Sequence, residues 1–261
     1  MTDKLLLNRA GAVTTITFNR PALRNAVDAE TMAALREAIV GCGDDASTRV
    51  IVLAGAGGAF CSGADVNTIA GAGATPDSAW RILSEFYHPA LRAIHDSRWP
   101  VIAAVDGVAA GLGCDIALAC DIRLASARAQ FAELFIRVGL IPDGGGTWSL
   151  PRLVGLGRAL ELIYSGASVP AEEARVIGMA SHVYPTEQFA AEVAAYAGRL
   201  AAQAPLALTR IRQAVRAAQE STFAEALDRE SALQREILLS EDGFEGFRAF
   251  LEKRKPIWKG R

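Results

Sequence analysis

The sequence predicts an α/β fold whose last part is entirely helical. Residues 50–53 and 101–105 are short, continuous apolar runs, which are typical of strands buried on both faces of a sheet. Each run leads into a glycine-rich turn, and residues 63–66 of the first turn align with residues 113–116 of the second, 50 positions later. Beyond residue 153 the apolar residues recur at helical spacing. The chain therefore combines a repeated strand, turn and helix with a helical C-terminal region.

The composition limits the protein class and its partners. The 261 residues are 51% hydrophobic, which is ample for a large core, and the formal charge is only −2. Such a charge gives no field for nucleic acid or an anionic membrane, so any phosphate binding must be local. Residues 1–4 lead into only three leucines, and no apolar run approaches the length of a membrane span. We expect a cytoplasmic protein with neither partner.

The four cysteines do not predict a disulfide or metal framework. They form no CxxC pair, and we expect them to be reduced and buried: Cys42, Cys61, Cys114 and Cys120.

The first half of the chain alternates predicted strands and helices. Strands are predicted at residues 13–18, 50–53, 101–105, 122–125 and near residues 130–131. Asp28 is a suitable N-cap for a helix that ends near residues 41–43. Residues 67–75 predict a flexible loop, after which Thr75 and Pro76 begin a helix that reaches about Arg98.

The last part of the chain predicts amphipathic helices. Thr222 and Glu225 form a capping box, and an apolar stripe follows until residues 240–243 interrupt it. The stripe consists of Phe223, Leu227, Leu233 and Ile237, then Phe244, Phe247, Phe250 and Leu251. This apolar face packs either on the parent domain or on another subunit. We place the boundary between a core of residues 1–200 and a helical region of residues 201–261.

The two glycine-rich turns are candidate sites for a developing negative charge. A turn that follows a buried strand and opens a helix exposes unpaired N–H groups, which the helix dipole makes favourable for anions. Two such groups on one oxygen form an oxyanion hole, although the turns could also be merely compact or bind a phosphate. Neither turn has the Gly-Lys-Ser/Thr of a P-loop or the spacing of a dinucleotide fingerprint.

Residues 139–152 are the predicted location of the catalytic site. Pro142 fixes the approach to Asp143, and three glycines follow, so the carboxylate is presented on a tight turn. The same tripeptide is also an ordinary turn. The three histidines, His88, His95 and His182, lack the spacing of metal ligands, and we expect them to have structural or surface roles. Ser62 lies outside a GxSxG motif, so a serine nucleophile is not expected.

Four motifs together resemble the crotonase (enoyl-CoA hydratase/isomerase) superfamily. They are residues 60–66 (FCSGADV), 100–107 (PVIAAVDG), 111–115 (GLGCD) and 119–123 (ACDIR), and the likeness extends from Val13 to about Arg254. The resemblance implies a spiral of ββα turns with a helical C-terminal trimerisation region, assembled as a homotrimer or a dimer of trimers. It also implies an acyl-CoA thioester substrate, with coenzyme A as part of the substrate and no metal or redox cofactor.

The resemblance also implies roles for particular residues. The N–H groups of Ala64 and Leu112 would form the oxyanion hole. The coenzyme A moiety would lie near Arg24 and the segment Ser62 to Val66, which includes Asp65, and Lys253 of a neighbouring subunit would contribute a basic group. Asp65 itself is expected to cap a helix.

The chain departs from the hydratase pattern at both catalytic positions. Hydratases of this superfamily use two glutamates, where this chain has Asp115 and Phe135. Glu133 lies two residues from the second position, an offset that we expect to keep its carboxyl out of place. Efficient hydration is therefore not expected.

Asp143 instead resembles the isomerase branch, and above all the ring-epoxide isomerases of phenylacetyl-CoA breakdown. The resemblance rests on Gly-Leu-Ile-Pro-Asp and Gly-Gly-Thr-Trp within residues 139–148, on Leu-Pro-Arg at 150–152, and on Phe-Tyr-His-Pro at 86–89. A single carboxylate can move a proton between carbons of an enolate, so the loss of the second glutamate is tolerated. Phe135 or Trp148 could raise the pKa of this carboxyl toward the working range.

Three functions follow as hypotheses. The first is an acyl-CoA isomerase with Asp143 as the acid and base and Asp115 as its rival. The second is an enoyl-CoA hydratase that uses Asp115 with Asp143 or Glu133, and the third is a protein that binds CoA esters or RNA without turnover. Residues 67–81 form the expected specificity loop, with no charge before Asp77. Their sequence fits aliphatic and aromatic acyl chains equally well.

Overall fold

The computed structural model describes residues 3–71 and 73–261, without the side chains of Ile69 and Ala70. The strands in this part of the chain are β1 (Leu5–Ala10), β2 (Val13–Phe18), β3 (Val50–Gly55), β4 (Val101–Val105), β5 (Val108–Ala110), β6 (Ile122–Ser126), β7 (Gln130–Ala132), β8 (Ser168–Pro170) and β9 (His182–Tyr184). The helices are α1 (Ala29–Asp44), α2 (Val66–Ala70), α3 (Pro76–Ile82), α4 (His88–His95), α5 (Leu112–Ala119), α6 (Gly146–Val154), α7 (Leu156–Ser165), α8 (Ala171–Val176), α9 (Phe189–Ala201), α10 (Pro205–Ala218), α11 (Phe223–Leu238) and α12 (Glu241–Leu251).

Two sheets organise these strands. The larger has the order β1-β2-β3-β4-β6-β9, antiparallel at β1/β2 and parallel elsewhere, and the smaller has the order β5-β7-β8. A bridge between Cys61 and Ala109 joins the chain after β3 to strand β5 of the second sheet. Successive turns of the chain thus add one strand to each sheet before a helix, as the ββα spiral requires.

The larger sheet is buried on both faces. On one face, Ile51, Leu53 and Val101 belong to the main core together with side chains of α1, α4 and α5. On the other face, residues such as Val52 and Ile102 pack against α9. The continuous apolar runs in the sequence are therefore explained, because alternate side chains of each strand enter different cores.

The predicted strands and the N-cap of α1 are confirmed. Asp28 accepts a hydrogen bond from the N–H of Thr31, and the capping boxes at Thr75 and Thr222 are both formed. The four cysteines are buried and free. Two short strands, β8 and β9, lie in the part of the chain that we expected to be helical beyond residue 153. The boundary at residue 200 stays a prediction.

The prediction of a loop at residues 67–75 is wrong for its first residues. Asp65 caps α2 by accepting from the N–H of Asn67, so the chain is helical there. Ala72, within the same expected loop, lies outside the described residues.

The expected helix from Pro76 to about Arg98 is not continuous. A π-helical turn, Leu83–Tyr87, separates α3 from α4, and the last helix ends at His95. Pro89 cannot donate to the carbonyl four residues earlier, and its ring crowds that carbonyl. The chain widens here, so that the N–H of His88 bonds to the carbonyl of Leu83, five residues back.

The internal repeat is present in the structure with a different register. The N-caps of α2 and α5 are Asp65 and Gly111, which are 46 residues apart and not 50. Asp65 therefore precedes its helix, whereas Asp115 lies inside α5. This difference allows one carboxylate to cap a helix and the other to face the interior.

Candidate active site

The N–H groups of Ala64 and Leu112 lie on two turns that touch each other. The N–H of Ala110 donates to the carbonyl of Cys61 at 3.0 Å, and a Cβ placed on Gly63 would be 3.5 Å from the nitrogen of Leu112. Leu112 is the first residue of α5, where an N–H has no partner within the helix. Between described residues, neither N–H donates a loop or turn hydrogen bond. The pair is suited to hold one oxygen that becomes negative.

Asp143 lies on the turn before α6, next to the first turn of α5. Pro142 before it is buried and Asp143 is half-buried. A Cβ on the following residue, Gly144, would be 2.7 Å from the side chain of Leu112, so this turn packs directly on the residue that supplies one of the two N–H groups. Burial raises the pKa of the Asp143 carboxyl, and the nearby His88 ring opposes that rise.

Asp115 lies beneath the same turn and is almost completely buried. Its Oδ2 accepts from the N–H of Gly144 at 2.9 Å, whereas its Oδ1 has no hydrogen bond of normal geometry and only the nearby N–H of Gly146 as a weak donor. Burial, and then the charges of Glu133 and Asp143, hold the pKa of Asp115 well above its usual range. This carboxyl supports the turn that carries Asp143.

Glu133 also enters this cluster, which corrects the expectation that its offset would keep it away. Strand β7 ends at Ala132, and a 3₁₀ helix, Leu134–Val138, begins after Glu133. The side chain at this bend is buried, and burial raises the pKa of Glu133 to about 7. The Cys114 thiol, a weak donor, interacts with the carboxyl, but neither oxygen has a hydrogen bond of normal geometry.

His88 is a site residue that the sequence did not reveal. Its Nε2 lies 2.9 Å from the carbonyl oxygen of Asp143, so the beginning of α4 contacts the turn directly. A carbonyl oxygen only accepts, so this ring nitrogen carries the hydrogen and donates. The one available signal was the motif Phe-Tyr-His-Pro, which placed the histidine in a segment shared with the isomerase branch.

The two aromatic residues expected near Asp143 have different locations. Phe135 is buried, and its Cζ would lie 3.9 Å from a Cβ on Gly111, close to the second N–H group. Trp148 instead lies against His95 and Arg152, and it lines a cleft below α10. His95 is seven residues, or about 10 Å of helix, from His88. Trp148 thus packs at the end of α4 that is remote from His88, and its effect on the pKa of Asp143 stays a prediction.

The residues expected to contact coenzyme A are partly brought together. The N–H of Ser62 donates to the carbonyl of Arg24 at 3.0 Å, and the exposed Val66 begins α2 beside them. Asp65 caps α2 and pairs with Arg20 at 2.8 Å, as a structural residue would. Lys253 follows α12, and its N–H bonds to Phe250 within the C-terminal helices.

Comparisons with known proteins show the family of this chain. A family model described as enoyl-CoA hydratase/isomerase matches residues 8–261. The chain belongs to this family. Within the family, a probable enoyl-CoA hydratase of Rhodobacter capsulatus is 39% identical and a 1,2-epoxyphenylacetyl-CoA isomerase of Escherichia coli is 38% identical. The matches cover 94% of both chains in the first comparison and 100% of both in the second.

Solved structures of this family have the same fold. An enoyl-CoA hydratase of Bacillus anthracis is 31% identical and superposes with a TM-score of 0.95. The superposition covers 99% of this chain and 100% of the hydratase. A hydratase of Geobacillus kaustophilus gives a TM-score of 0.92 at 36% identity, with 99% and 98% coverage. The protein therefore has the crotonase fold, and the names of its relatives include both hydratases and isomerases.

Among the described residues, no helix is long and apolar enough to cross a membrane. Within the same part of the chain, no group of three or more His, Cys, Asp or Glu side chains is placed to hold a metal ion.

Proposed function

We propose that the protein is an acyl-CoA isomerase that moves a double bond, or rearranges a ring acyl-CoA, by proton transfer at a thioester enolate. The observation that carries this proposal is the unequal access of three clustered carboxyls. Asp115 is 1% exposed and Glu133 is 2% exposed, whereas Asp143 is half-buried on a turn. A carbon of the substrate can exchange a proton only with a carboxyl that opens to the site.

The proposed reaction uses one carboxylate twice. Asp143 removes a proton from the α- or γ-carbon, and the electrons of that C–H bond move into the thioester carbonyl. Its oxygen becomes negative and is held by the N–H groups of Ala64 and Leu112. The neutral Asp143 carboxyl then returns the proton to the other carbon as the electrons move back, so the double bond shifts and the mass is unchanged.

The two effects that the proposed reaction uses are large in other enzymes. In other enzymes, removing one donor from an oxyanion hole costs about 2.7 to 4 kcal/mol of barrier, and a positioned acid or base contributes about 10²- to 10⁴-fold in rate. The raised pKa of Asp143 makes its carboxylate a stronger base than an exposed aspartate.

Binding of the coenzyme A moiety is part of the proposal. Arg24 and the segment from Ser62 to Val66 lie together at the edge of the first turn, where a phosphate-bearing chain could approach. We place Lys253 of a neighbouring subunit at the same ligand, in a homotrimer or a dimer of trimers. The exposed phenylalanines of α12 support such an assembly.

An enoyl-CoA hydratase is the second candidate. Asp115 and Glu133 lie side by side, and a 39% identical relative is named a probable hydratase. Hydration needs a carboxyl in contact with the attacking water, and the burial of both side chains disfavours this reading.

The test compares the purified protein with Asp143→Asn and, as a matched control, the exposed Asp228→Asn on α11. Each is incubated with a 2-enoyl-CoA and with a 3-enoyl-CoA, and the products are followed by mass spectrometry. An isomer of unchanged mass that forms with the wild type and with Asp228→Asn, and that falls at least about 10²-fold in Asp143→Asn, supports the proposal. A product heavier by one water would support the hydratase instead.

If neither substrate reacts, a ring-epoxide CoA ester is tested in the same way. If calorimetry shows that this ester binds but the assay shows no turnover, the proposed isomerase function is wrong. The hypothesis of a protein that binds CoA esters without turnover is then favoured.

A further inference from the structure

The peptide bond between Asp143 and Gly144 is held at both ends by side chains. His88 Nε2 donates to the carbonyl oxygen of Asp143 at 2.9 Å, and Asp115 Oδ2 accepts from the N–H of Gly144 at 2.9 Å. No described peptide bond is cis, so the oxygen and the N–H of this peptide project in opposite directions. The two side chains therefore hold it from opposite sides.

This peptide would otherwise have considerable freedom. Three consecutive glycines follow Asp143, and Gly145 has a φ of 97°. Glycines permit many backbone conformations, so a turn of this composition can rotate the peptide after Asp143. Rotation by half a turn would direct the carbonyl oxygen toward the Asp115 carboxyl and remove both hydrogen bonds. The two contacts therefore select one of two turn conformations.

Both holding groups are themselves placed by the fold. Asp115 lies within α5, three residues after Leu112, so the helix that supplies one N–H group also supports the turn. His88 is the first residue of α4 and follows the π-helical turn. Pro89 prevents a regular helix through this segment, and the resulting offset sets the direction of His88.

The glycines after Asp143 make room for the Asp115 carboxyl. A Cβ on Gly144 would be 2.6 Å from Oδ2 of Asp115, and a Cβ on Gly146 would collide with its Oδ1. Side chains at these positions would therefore displace the turn from the carboxyl that holds it.

We propose that His88 and Asp115 are positioning residues that fix the Asp143–Gly144 peptide and thereby the direction of the Asp143 carboxylate. This inference rests on the proposed isomerase function. Asp115 then acts through the backbone of the turn and exchanges no proton with the substrate. Its role differs from that of the hydratase glutamate at the matching position.

The test uses one disruptive and one conservative variant at each position. His88→Leu removes the donor, whereas His88→Gln carries an amide nitrogen at nearly the place of Nε2. Asp115→Ala removes the acceptor, whereas Asp115→Asn keeps an amide oxygen that can accept from Gly144. Initial rates of 3-enoyl-CoA isomerisation give kcat and KM for all four, and circular dichroism confirms that each is folded.

The disruptive variants are expected to lower kcat about 10- to 100-fold with KM changed less than about threefold, because the carboxylate is misdirected and the ligand contacts remain. The conservative variants are expected to restore kcat to within about fivefold of the wild type. A role in folding alone would lower the fraction of active enzyme and leave the kcat of the folded fraction unchanged.

Two results would overturn the inference. One is a wild-type kcat in folded His88→Leu and Asp115→Ala. The other is an Asp115→Asn that is as inactive as Asp143→Asn, which would make Asp115 a proton-transfer group. Asp143→Asn is measured in the same series. If that variant retains isomerisation, the proposed function fails, whereas its loss together with active His88 and Asp115 variants defeats only the positioning role.

Discussion

Asp115 and Glu133 direct carboxyl oxygens at the same point, the α-carbon of Gly146. A Cβ on that glycine would collide with Oδ1 of Asp115 and would lie 3.1 Å from Oε2 of Glu133. Both side chains are buried, and neither oxygen has a hydrogen bond of normal geometry. The Cys114 thiol and the N–H of Gly146 give only weak support to two adjacent buried negative charges, so at neutral pH the pair retains a proton.

Replacing Glu133 with Gln should stabilise the protein at alkaline pH. Burial raises the pKa of Glu133 from 4.5 to about 7, so between these values the folded protein binds more protons than the unfolded chain. The free energy of unfolding therefore falls as pH rises through this window, by roughly 3 kcal/mol at most from this group. Gln has no charge to bury and does not contribute to this fall.

Urea unfolding of the wild type and Glu133→Gln between pH 4.5 and pH 8 measures the effect. The variant should be more stable at pH 8, and its advantage should shrink toward pH 4.5. Glu161→Gln on α7 is the control, because its exposed ion pair with Arg158 is worth no more than about 0.5 kcal/mol anywhere in this range. A constant difference between wild type and Glu133→Gln across the range would contradict the assignment.

A methyl group at Gly144 should impair both stability and turnover. The added Cβ would lie 2.6 Å from Asp115 Oδ2 and 2.7 Å from Leu112 Cδ1, so Gly144→Ala should cost about 1 to 3 kcal/mol of unfolding free energy. The displaced turn also carries Asp143, so kcat should fall about 10-fold or more.

Gly157→Ala provides the matched control for this substitution. Gly157 lies in α7, and a Cβ there would have no atom within 4 Å. The change should therefore leave kcat unaltered and raise stability by about 0.5 to 1 kcal/mol. Thermal and urea unfolding, together with initial rates, distinguish the two. Equal effects of both substitutions would show that the turn tolerates a side chain.

The strands and the position of Asp143 could be predicted because their signals are local. The run at residues 101–105 is apolar without interruption, and the Pro142-Asp143-Gly144 tripeptide specifies a turn by its own chemistry. The location of the two N–H groups followed from the family resemblance. The fold joins these local elements as that resemblance implied.

The cluster around Asp143 could not be predicted because it depends on tertiary packing. Glu133 is two positions from the family's second glutamate, and only the bend after β7 carries its side chain inward. His88 depends on the π-helical turn, which a helical pattern does not reveal. Trp148 lies in a good site motif, yet its rotation on α6 places the ring against His95.

The C-terminal helices are anchored to the core by a compact ion cluster. Asp121 accepts from Arg212 at 2.8 Å and from Arg216 at 2.7 Å, and it also accepts from the N–H of Val101 at the start of β4. Arg212 donates further to the carbonyls of Ser97 and Ile94. The backbone of Arg212 belongs to α10, whereas the hydrogen-bond acceptors of its guanidinium belong to the core. Arg212 therefore attaches this helix to the core.

Removing Arg212 should be far more costly than removing a surface arginine of the same helix. Arg212→Leu leaves the Asp121 carboxyl and two carbonyls short of a donor, so we expect a loss of about 2 to 4 kcal/mol. Arg210→Leu breaks an exposed pair with Glu236 and a 3.4 Å hydrogen bond to Gln213 within the same helix, and it should cost under about 1 kcal/mol. Urea unfolding of both variants at one protein concentration measures the difference, and similar losses would contradict the anchoring role.

The apolar face of α12 should mediate self-association. Phe247 is 62% exposed and Phe250 is 81% exposed, and Phe244 and Leu251 extend the same face. Several large apolar side chains in one exposed patch favour association over solvation. Burying one phenylalanine side chain is worth about 1.5 to 3 kcal/mol, so a charge in its place should weaken assembly strongly.

Light scattering after size-exclusion chromatography tests this assembly. The wild type should have the mass of a trimer or a hexamer, and Phe250→Asp should shift it toward the monomer mass of 27.6 kDa. Arg248→Gln changes an exposed charge on the same helix without altering the phenylalanines, and it should leave the mass unchanged. A monomeric wild type would show that these side chains remain in water, and it would remove the basis for a contribution of Lys253 to a neighbouring site.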